Sequence, residues 1–179
     1  MSKKEHLNIE GLNKIINLKS ALNKGLTPLL NKNFPNATME RPPRKNSFSS
    51  VNPYWITGFV EAEGCFFINI IKSSAYKLGY QVRLQLSVVQ HVRDKNLMTN
   101  LVDFFKSGGI HENTGCVTYK ASKLSDINEI IIPHFKKYPL QGYKFGDYEK
   151  FCSVALLMKN KEHLTPEGLN KILEIKNSK

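Results

Sequence analysis

Trp55-Ile56-Thr57-Gly58-Phe59-Val60-Glu61-Ala62-Glu63-Gly64 decides how the rest of the chain is read. Asn52-Pro53 ahead of it is a cap followed by proline in the first turn, the run to Glu63 is predicted helical, and Gly64 supplies the stop. Gly58 and Ala62 are spaced i and i+4, so one stripe of an otherwise apolar helix has almost no side chain, and the backbone of another helix can approach it closely. Glu63 ends the helix at the negative pole of its dipole, where a carboxylate loses ~0.3 to 1 kcal/mol that a bound cation would restore. Two such helices packed through their small residues bring two such acids together, an arrangement that repels itself unless a divalent ion lies between or beside them. Oxygen ligands of this kind favour Mg²⁺, which activates water and stabilises a leaving phosphate oxygen. Glu61 lies about 200° around the helix and points elsewhere. On this stretch alone, a plain solvated glutamate at a helix end is an equal alternative for Glu63.

Residues 65 to 71, aromatic and β-branched, are predicted to form a strand, and a loop with Ser73, Ser74 and Gly79 turns the chain back. Tyr80, Val82, Leu84, Leu86 and Val88 then alternate with Gln81, Arg83, Gln85, Ser87 and Val89, a strand with one core face and one polar face. Asp94 caps a helix running to Phe105 and ended by Gly108-Gly109. Residues 110 to 113 and 116 to 122 form a second hairpin across Thr114-Gly115, with Val117, Tyr119 and Ala121 inward. A helix from Ser125 runs to about Pro133, which can break or kink it, and Tyr138-Pro139 closes the element. Residues 146 to 164 read as one long helix with Tyr148, Phe151, Val154, Ala155 and Met158 on a stripe.

The expected class is therefore α+β: an αββαββα unit whose antiparallel four-stranded sheet carries helices on one face and leaves a saddle open on the other. That open face is expected to hold Asn69, Gln81, Arg83, Gln85, Ser87, His111, Asn113, Thr118, Lys120 and Ser122, with Lys72 at a strand end. It is polar, thinly cationic and free of carboxylates. Wetted faces ordinarily mix glutamate with lysine, so this one is read as a nucleic-acid surface whose side chains can pair with base edges.

The ends of the chain repeat each other. Lys4-Glu5-His6-Leu7-Asn8-Ile9-Glu10-Gly11-Leu12-Asn13-Lys14-Ile15 returns 157 residues later as Lys161-Glu162-His163-Leu164-Thr165-Pro166-Glu167-Gly168-Leu169-Asn170-Lys171-Ile172, with ten of twelve positions identical. A period of that length suits a duplicated domain, so residues 1–25 are expected to be the terminal helix of a preceding repeat. Asn8 and Thr165 are the expected caps of the two copies. Residues 26–50 carry Pro28, Pro35, Pro42 and Pro43 with Arg41, Arg44 and Lys45 and read as a basic linker, leaving 51–179 as the domain proper.

Composition narrows the function classes. The 26 Lys and Arg against 15 Asp and Glu give a formal charge of +11, and the pI near 9.6 points to an anionic partner. Cys65, Cys116 and Cys152 fit neither a zinc spacing nor a disulfide framework, and Cys65 and Cys152 are expected in the core. No apolar run approaches the roughly 20 residues of a membrane span, so no membrane partner is expected, and the first 20 residues carry neither a secretory core nor an Arg-rich transit pattern. A bias to 22 Lys, 17 Asn and 14 Ile matches A/T-rich codons, as in an organellar genome. Small-molecule catalysis has no glycine-rich phosphate loop, nucleophile motif or histidine cluster to support it. His6 and His163 are expected to pack at a helix junction, His91 to be able to meet phosphate or bases, and His134 to lie at the surface.

The stretch 56 to 64 resembles the helix motif of LAGLIDADG homing endonucleases. With Glu-Gly-Cys-Phe-Phe at 63 to 67, Gln90-His91, Asp94-Lys95-Asn96-Leu97-Met98, Lys123-Leu124-Ser125-Asp126-Ile127 and the Lys161-Glu162-His163-Leu164 segment, the chain is similar to the monomeric fungal mitochondrial members over nearly its whole length. The resemblance implies that Gly58 and Ala62 lie in an interface between two units and that Glu63 is the metal-binding acid. It further implies that Gln90 stands beside the scissile phosphate, that Lys123 helps order solvent there, and that Glu61 is the acid without a catalytic part. The expected function is Mg²⁺-dependent, site-specific hydrolysis of double-stranded DNA, of the intron-homing type and in mitochondria. One motif helix supplies one acid, so a second LAGLIDADG unit is needed, by homodimer or separate chain. The alternative is a non-cleaving module on structured RNA, maturase-like or an RNA-bound subunit of an organellar ribosome.

Overall fold

The computed structural model describes residues 4–22, 25–37 and 51–178. The chain divides into two units, Met1–Ser47 and Phe48–Lys179. In the first unit, α1 (Ile9–Ser20) starts at Asn8, whose Oδ1 accepts from the Gly11 N–H at 2.8 Å. A short α2 (Pro28–Asn33) follows, capped by the Thr27 hydroxyl. This helix falls inside the stretch read as linker. Thr27-Pro28-Leu29-Leu30 is a cap, a first-turn proline and an apolar pair, a helix signal that outweighs the remaining prolines. The basic trio Arg41, Arg44 and Lys45 lies outside the described residues.

The second unit runs α3 (Pro53–Glu63), β1 (Gly64–Lys72), β2 (Tyr80–His91), α4 (Lys95–Phe105), β3 (Gly109–Asn113), β4 (Cys116–Ala121), α5 (Leu124–Asp126), a π-helical turn (Ile127–Ile131), α6 (Ile132–Lys137), α7 (Lys144–Lys159) and α8 (Pro166–Asn177). The sheet order is β1-β2-β4-β3, all antiparallel. Its register sets Gly64 opposite Val88, Asn69 opposite Arg83, and Ser87 between Cys65 and Lys120. One face carries Phe66, Val82, Leu84, Leu86, Val88, Val117, Tyr119 and Ala121, all buried, against Ile56 and Val60 of α3, Met98 and Leu101 of α4, and Phe151 and Val154 of α7. Removing each large side chain from water contributes roughly 1.5 to 3 kcal/mol, so this single layer holds the sheet flat against its helices and leaves the other face free.

Several local outcomes differ from the sequence expectation. Asp94 makes no side-chain cap for α4; a short 3₁₀ turn (Val92–Asp94) precedes the helix, and His91 Nδ1 accepts from the Arg93 N–H that opens that turn. The helix then ends on Lys106 in the left-handed region at φ 49°. Gly108 follows at φ 79°, where a Cβ would meet the Lys120 carbonyl oxygen at 2.6 Å. Pro133 neither breaks nor ends its helix. Lacking an N–H and clashing with the carbonyl one turn back, it is accommodated by the wider π turn just before it, so the helical course continues to Lys137. The long C-terminal helix stops at Lys159. Lys161 takes a left-handed conformation at φ 61°, and Glu162–Leu164 forms a separate 3₁₀ turn, repeated at Lys4 and Glu5–Leu7 in the first unit. In both copies the glycine of the following helix has no room for a Cβ, which would lie 1.9 Å from the Glu5 carbonyl oxygen at Gly11 and 2.0 Å from that of Glu162 at Gly168. His6 and His163 lie at these junctions, the Nδ1 of each buried without a hydrogen-bond partner.

His134 is not a surface residue. Its ring lies 4.8 to 5.3 Å from Phe104, Phe105, Phe135 and Tyr138, and its Nε2 is 3.5 Å from the Thr57 hydroxyl of α3. Burial pushes the imidazole down to about 4, because the charged form would give up its hydration with no anion to replace it. Between its ordinary value near 6.5 and that value, the unfolded chain binds a proton that the folded chain refuses. Stability is therefore full above about pH 6.5 and is lost as the pH falls towards 4. Urea denaturation at pH 7.5, 6.0 and 4.5 is expected to show the midpoint falling with acidity, and His134→Asn, less stable at neutral pH, should show a shallower fall. An unchanged slope in that variant would place the acid sensitivity elsewhere.

Candidate nucleic-acid interface and acid site

The site begins at the corner between α3 and β1. Asn52 caps α3, its Oδ1 accepting from the Tyr54 N–H at 2.9 Å. At the other end the chain passes from helix to strand without a turn residue. Gly64 has φ −83° and ψ 162°, an extended conformation rather than the left-handed stop that its type suggested. Glycine is required there for space: a Cβ would lie 2.6 Å from Val60 Cγ1 and 2.7 Å from the Val60 carbonyl oxygen. Lys144 Nζ, from the start of α7, donates to the Gly64 carbonyl, placing a cation where the helix dipole is negative.

The two acids of the motif separate cleanly. Glu61 is half-buried and its Oε2 accepts from the Gln141 backbone N–H at 2.9 Å, while a Cβ on Gly142 would lie 2.7 Å from its Oε1. It ties α3 to the 139–142 loop and has a structural task. Glu63 is exposed and makes no hydrogen bond or ion pair among the described residues. Thr57 secures the buried side of the same helix, its hydroxyl donating to the Tyr138 carbonyl at 2.9 Å. Gly58 and Ala62 are exposed, and nothing lies within 4 Å of where a Cβ at Gly58 would stand. Trp55 stacks on Phe59 beside that bare stripe, ring centroids 5.0 Å apart.

The open face of the sheet carries most of the expected residues. Asn69, Gln81, Arg83, Gln85, His111, Asn113 and Lys120 share its parity and are exposed or half-buried. Ser122, beyond the end of β4, is exposed as well. Three residues need correction. Ser87 and Thr118 belong to this face but are only 5% and 6% exposed, because short side chains in the two central strands are overshadowed by longer neighbours. Lys72 pairs with Tyr80 and so has the parity of Phe66, Ile68 and Ile70, the helix side. Glu112 also falls on the helix side and pairs with Lys95 at 2.6 Å, which leaves the described open face without a carboxylate.

Cys65 is exposed on the open face rather than in the core, since its alternation opposes that of the buried Phe66. Phe67 and Ile71, which the expected face did not include, stand on it together with Val89, each with about two-fifths or more of its surface exposed. The parity of β1 and β2 was the signal that would have placed them.

Gln90 is two residues beyond the Gly64–Val88 pair, with the parity of the helix side, so it shares the rim of the sheet from which Glu63 emerges. Lys123 is placed differently. It follows β4, two residues past Ala121, which pairs with Leu86, and its Nζ is 3.4 Å from Asp126 Oδ1. Asp126 also accepts from the Ser107 hydroxyl at 2.8 Å and from Ser125 at 3.0 Å, and this anchoring holds its carboxyl below the usual carboxylate range. Among the described residues the structure brings Lys123 to Asp126 and not to Glu63. It also offers no group of three or more acidic, histidine or cysteine side chains able to hold a metal ion.

A bare-striped helix ending in an exposed acid, at the rim of a sheet whose open face carries no carboxylate, is the layout of a unit from the homing-endonuclease class. A family model described as LAGLIDADG endonuclease matches residues 56–155, and the chain belongs to that family. It is 39% identical over 175 residues to a Neurospora crassa protein called probable intron-encoded endonuclease 3, covering 96% of this chain and 33% of that protein. It is 38% identical over 136 residues to an uncharacterized 50.9 kDa protein in ND4 intron 1 of Podospora anserina, covering 74% of this chain and 30% of the other. Among solved structures it resembles I-SmaMI bound to an uncleaved DNA target in the presence of calcium ions, with a TM-score of 0.92 and 40% identity over 98% of this chain and 60% of that one. The match to the same endonuclease bound to cleaved DNA has a TM-score of 0.92 and covers 59% of that chain. The chain thus spans about a third of the length of these curated relatives and about three-fifths of the solved chain.

The two acids of α3 should respond oppositely to mutation. Glu61→Ala removes the acceptor of the exposed Gln141 N–H and the tie between α3 and its loop, and is expected to cost about 0.5 to 1.5 kcal/mol, whereas Glu63→Gln should change stability by less than about 0.5 kcal/mol. Urea midpoints of the two variants measure this, and equal losses would contradict the division of roles.

Proposed function

We propose that this chain is one working unit of a metal-dependent, site-specific DNA endonuclease of the intron-homing type, acting in mitochondria. One observation carries the reading: an exposed, unpaired carboxylate at Glu63 ends a helix whose Gly58–Ala62 stripe is open, beside a sheet face with no acidic side chain. Duplex DNA is the partner that such a face suits, and the DNA-bound solved structures to which the chain is similar support it. Relatives named for introns in ND4 and in cox1 support the mitochondrial setting.

Residues 51–179 form the LAGLIDADG domain in this reading, 26–50 a tether, and 1–25 the last helix of a preceding unit. The repeat supplies an internal control for that division. Ile172 of α8 is fully buried, whereas its counterpart Ile15 in α1 is 39% exposed, and Leu18, the counterpart of half-buried Ile175, is 69% exposed. The buried position moves by one residue between the copies, since Ile16 of α1 is 5% exposed and its counterpart Leu173 is 38% exposed, so α1 does not bury the face that α8 buries.

The second unit seats its own bare helix on Gly58 and Ala62 and brings a second acid next to Glu63. Glu63 alone does not complete a coordination shell, so catalysis depends on that second unit. The bound ion, Mg²⁺ in this reading, supplies charge to the phosphate and lowers the pKa of attacking water. From this chain, Gln90 orients the phosphate group at the rim of the sheet. Lys123 acts on solvent there once it leaves Asp126. The sheet face fixes the register on the target through base and backbone contacts.

Duplexes enriched by the purified chain from a random library, then incubated with Mg²⁺ and a partner LAGLIDADG unit, should be cut, and Glu63→Gln should bind them as before while cutting is abolished. Binding should weaken steeply as salt rises, because phosphates neutralised by lysine and arginine release counterions. Preference for structured RNA over duplex DNA, unaffected by metal, would overturn the proposal in favour of an RNA-bound role.

A further inference from the structure

The loop between β1 and β2 folds back onto the open face. It is closed by Ser73 N–H donating to the Gly79 carbonyl at 2.9 Å and Gly79 N–H donating to the Tyr76 carbonyl at 2.8 Å, with Gly79 at φ 73°. Leu78 packs against the core, which anchors the loop. The Tyr76 hydroxyl is thereby set 2.6 Å from Gln81 Nε2, and Gln81 Oε1 lies 3.2 Å from Arg83 Nη2. Arg83 is exposed, stands opposite Asn69, and has no carboxylate partner among the described residues.

The direction of this chain of hydrogen bonds follows from donor chemistry. A guanidinium has only donors, so it fixes Gln81 with its oxygen towards Arg83 and its amide nitrogen towards the tyrosine. The tyrosine hydroxyl must then accept from Gln81, and its own proton is left to donate outwards. Arg83 spends one of its five N–H donors on Gln81 and keeps four for a ligand. Held this way, Tyr76 and Arg83 present donors and little else. The base edge that matches is the one with two adjacent acceptors in the major groove, O6 and N7 of guanine.

We propose that Tyr76, Gln81 and Arg83 form a preassembled base-reading element in which Arg83 selects a guanine and Tyr76, acting through Gln81, positions it. Ordering the arginine before binding removes part of the rotamer entropy that a free surface arginine loses on contact. Gln81, which on a bare strand would suit adenine, serves here as the support of its neighbour. The element rests on the reading of this sheet face as a duplex-DNA surface and names what one part of that face recognises.

The test is selection from a randomised duplex library by the purified chain at low salt, with base preferences read at every position by sequencing. The wild-type chain should enrich one guanine that Arg83→Ala loses. Tyr76→Phe keeps the ring and removes only the hydroxyl. It should lower the preference for that guanine by about 3-fold, with all other positions unchanged, and Arg83→Lys should lower it by about 10-fold, having no fork to span O6 and N7. In an Arg83→Ala background, Tyr76→Phe should have no further effect at that position. Unaltered preference in Tyr76→Phe, or an even loss across the whole site, would overturn the element while leaving the DNA reading intact. A wild-type chain that enriches no sequence would overturn both.

Discussion

The corner at Gly64 governs everything that the second unit presents. Helix α3 becomes strand β1 without an intervening turn because the residue at the junction has no Cβ to collide with Val60. That directness places Glu63 on the rim of the sheet and starts β1 with Cys65 on the open face and Phe66 in the core. Every later parity follows, since Gly64 pairs with Val88 and the register runs unbroken to Lys72 and Tyr80. A longer connection would leave both the acid and the register less defined.

Around this corner the protein holds α3 on one side only. Thr57 binds the Tyr138 carbonyl, Glu61 binds the Gln141 N–H, Lys144 binds the Gly64 carbonyl, and Ile56 and Val60 fill the core. The stripe of Gly58 and Ala62 is bare, and Glu63 is exposed at the end of the helix. Fixing one face by hydrogen bonds and core packing lets the other keep small side chains without loss of rigidity, which a close helix–helix seam requires. A half-buried, uncharged His134 beside the helix belongs to the same support, and its resistance to protonation links the fold to pH.

The open face carries little charge because its acids are kept away. Glu112 pairs with Lys95 on the helix side and Asp126 is tied to Ser107, Ser125 and Lys123 beyond the end of β4. What is left is a set of amides, imidazoles, two cations and exposed apolar side chains, a mixture suited to bases as much as to phosphates.

Much of this was legible in sequence because it is local. The alternation of Tyr80 to Val89 fixed the two faces of β2, Asn52-Pro53 and Thr165-Pro166 marked helix starts, and the run from Ile56 to Gly64 carried the resemblance to the family. The repeat of Lys4 to Ile15 at Lys161 to Ile172 gives the same 3₁₀ turn and helix in both copies. Tertiary structure decided what depends on neighbours. Proximity buried Ser87 and Thr118 under longer side chains, gave Lys123 to Asp126, wrapped His134 in aromatic rings, and folded Tyr76 back onto Gln81. Period and propensity are properties of consecutive residues, whereas exposure, pairing and pKa arise from atoms brought together across the chain, and only the packed sheet sets those distances.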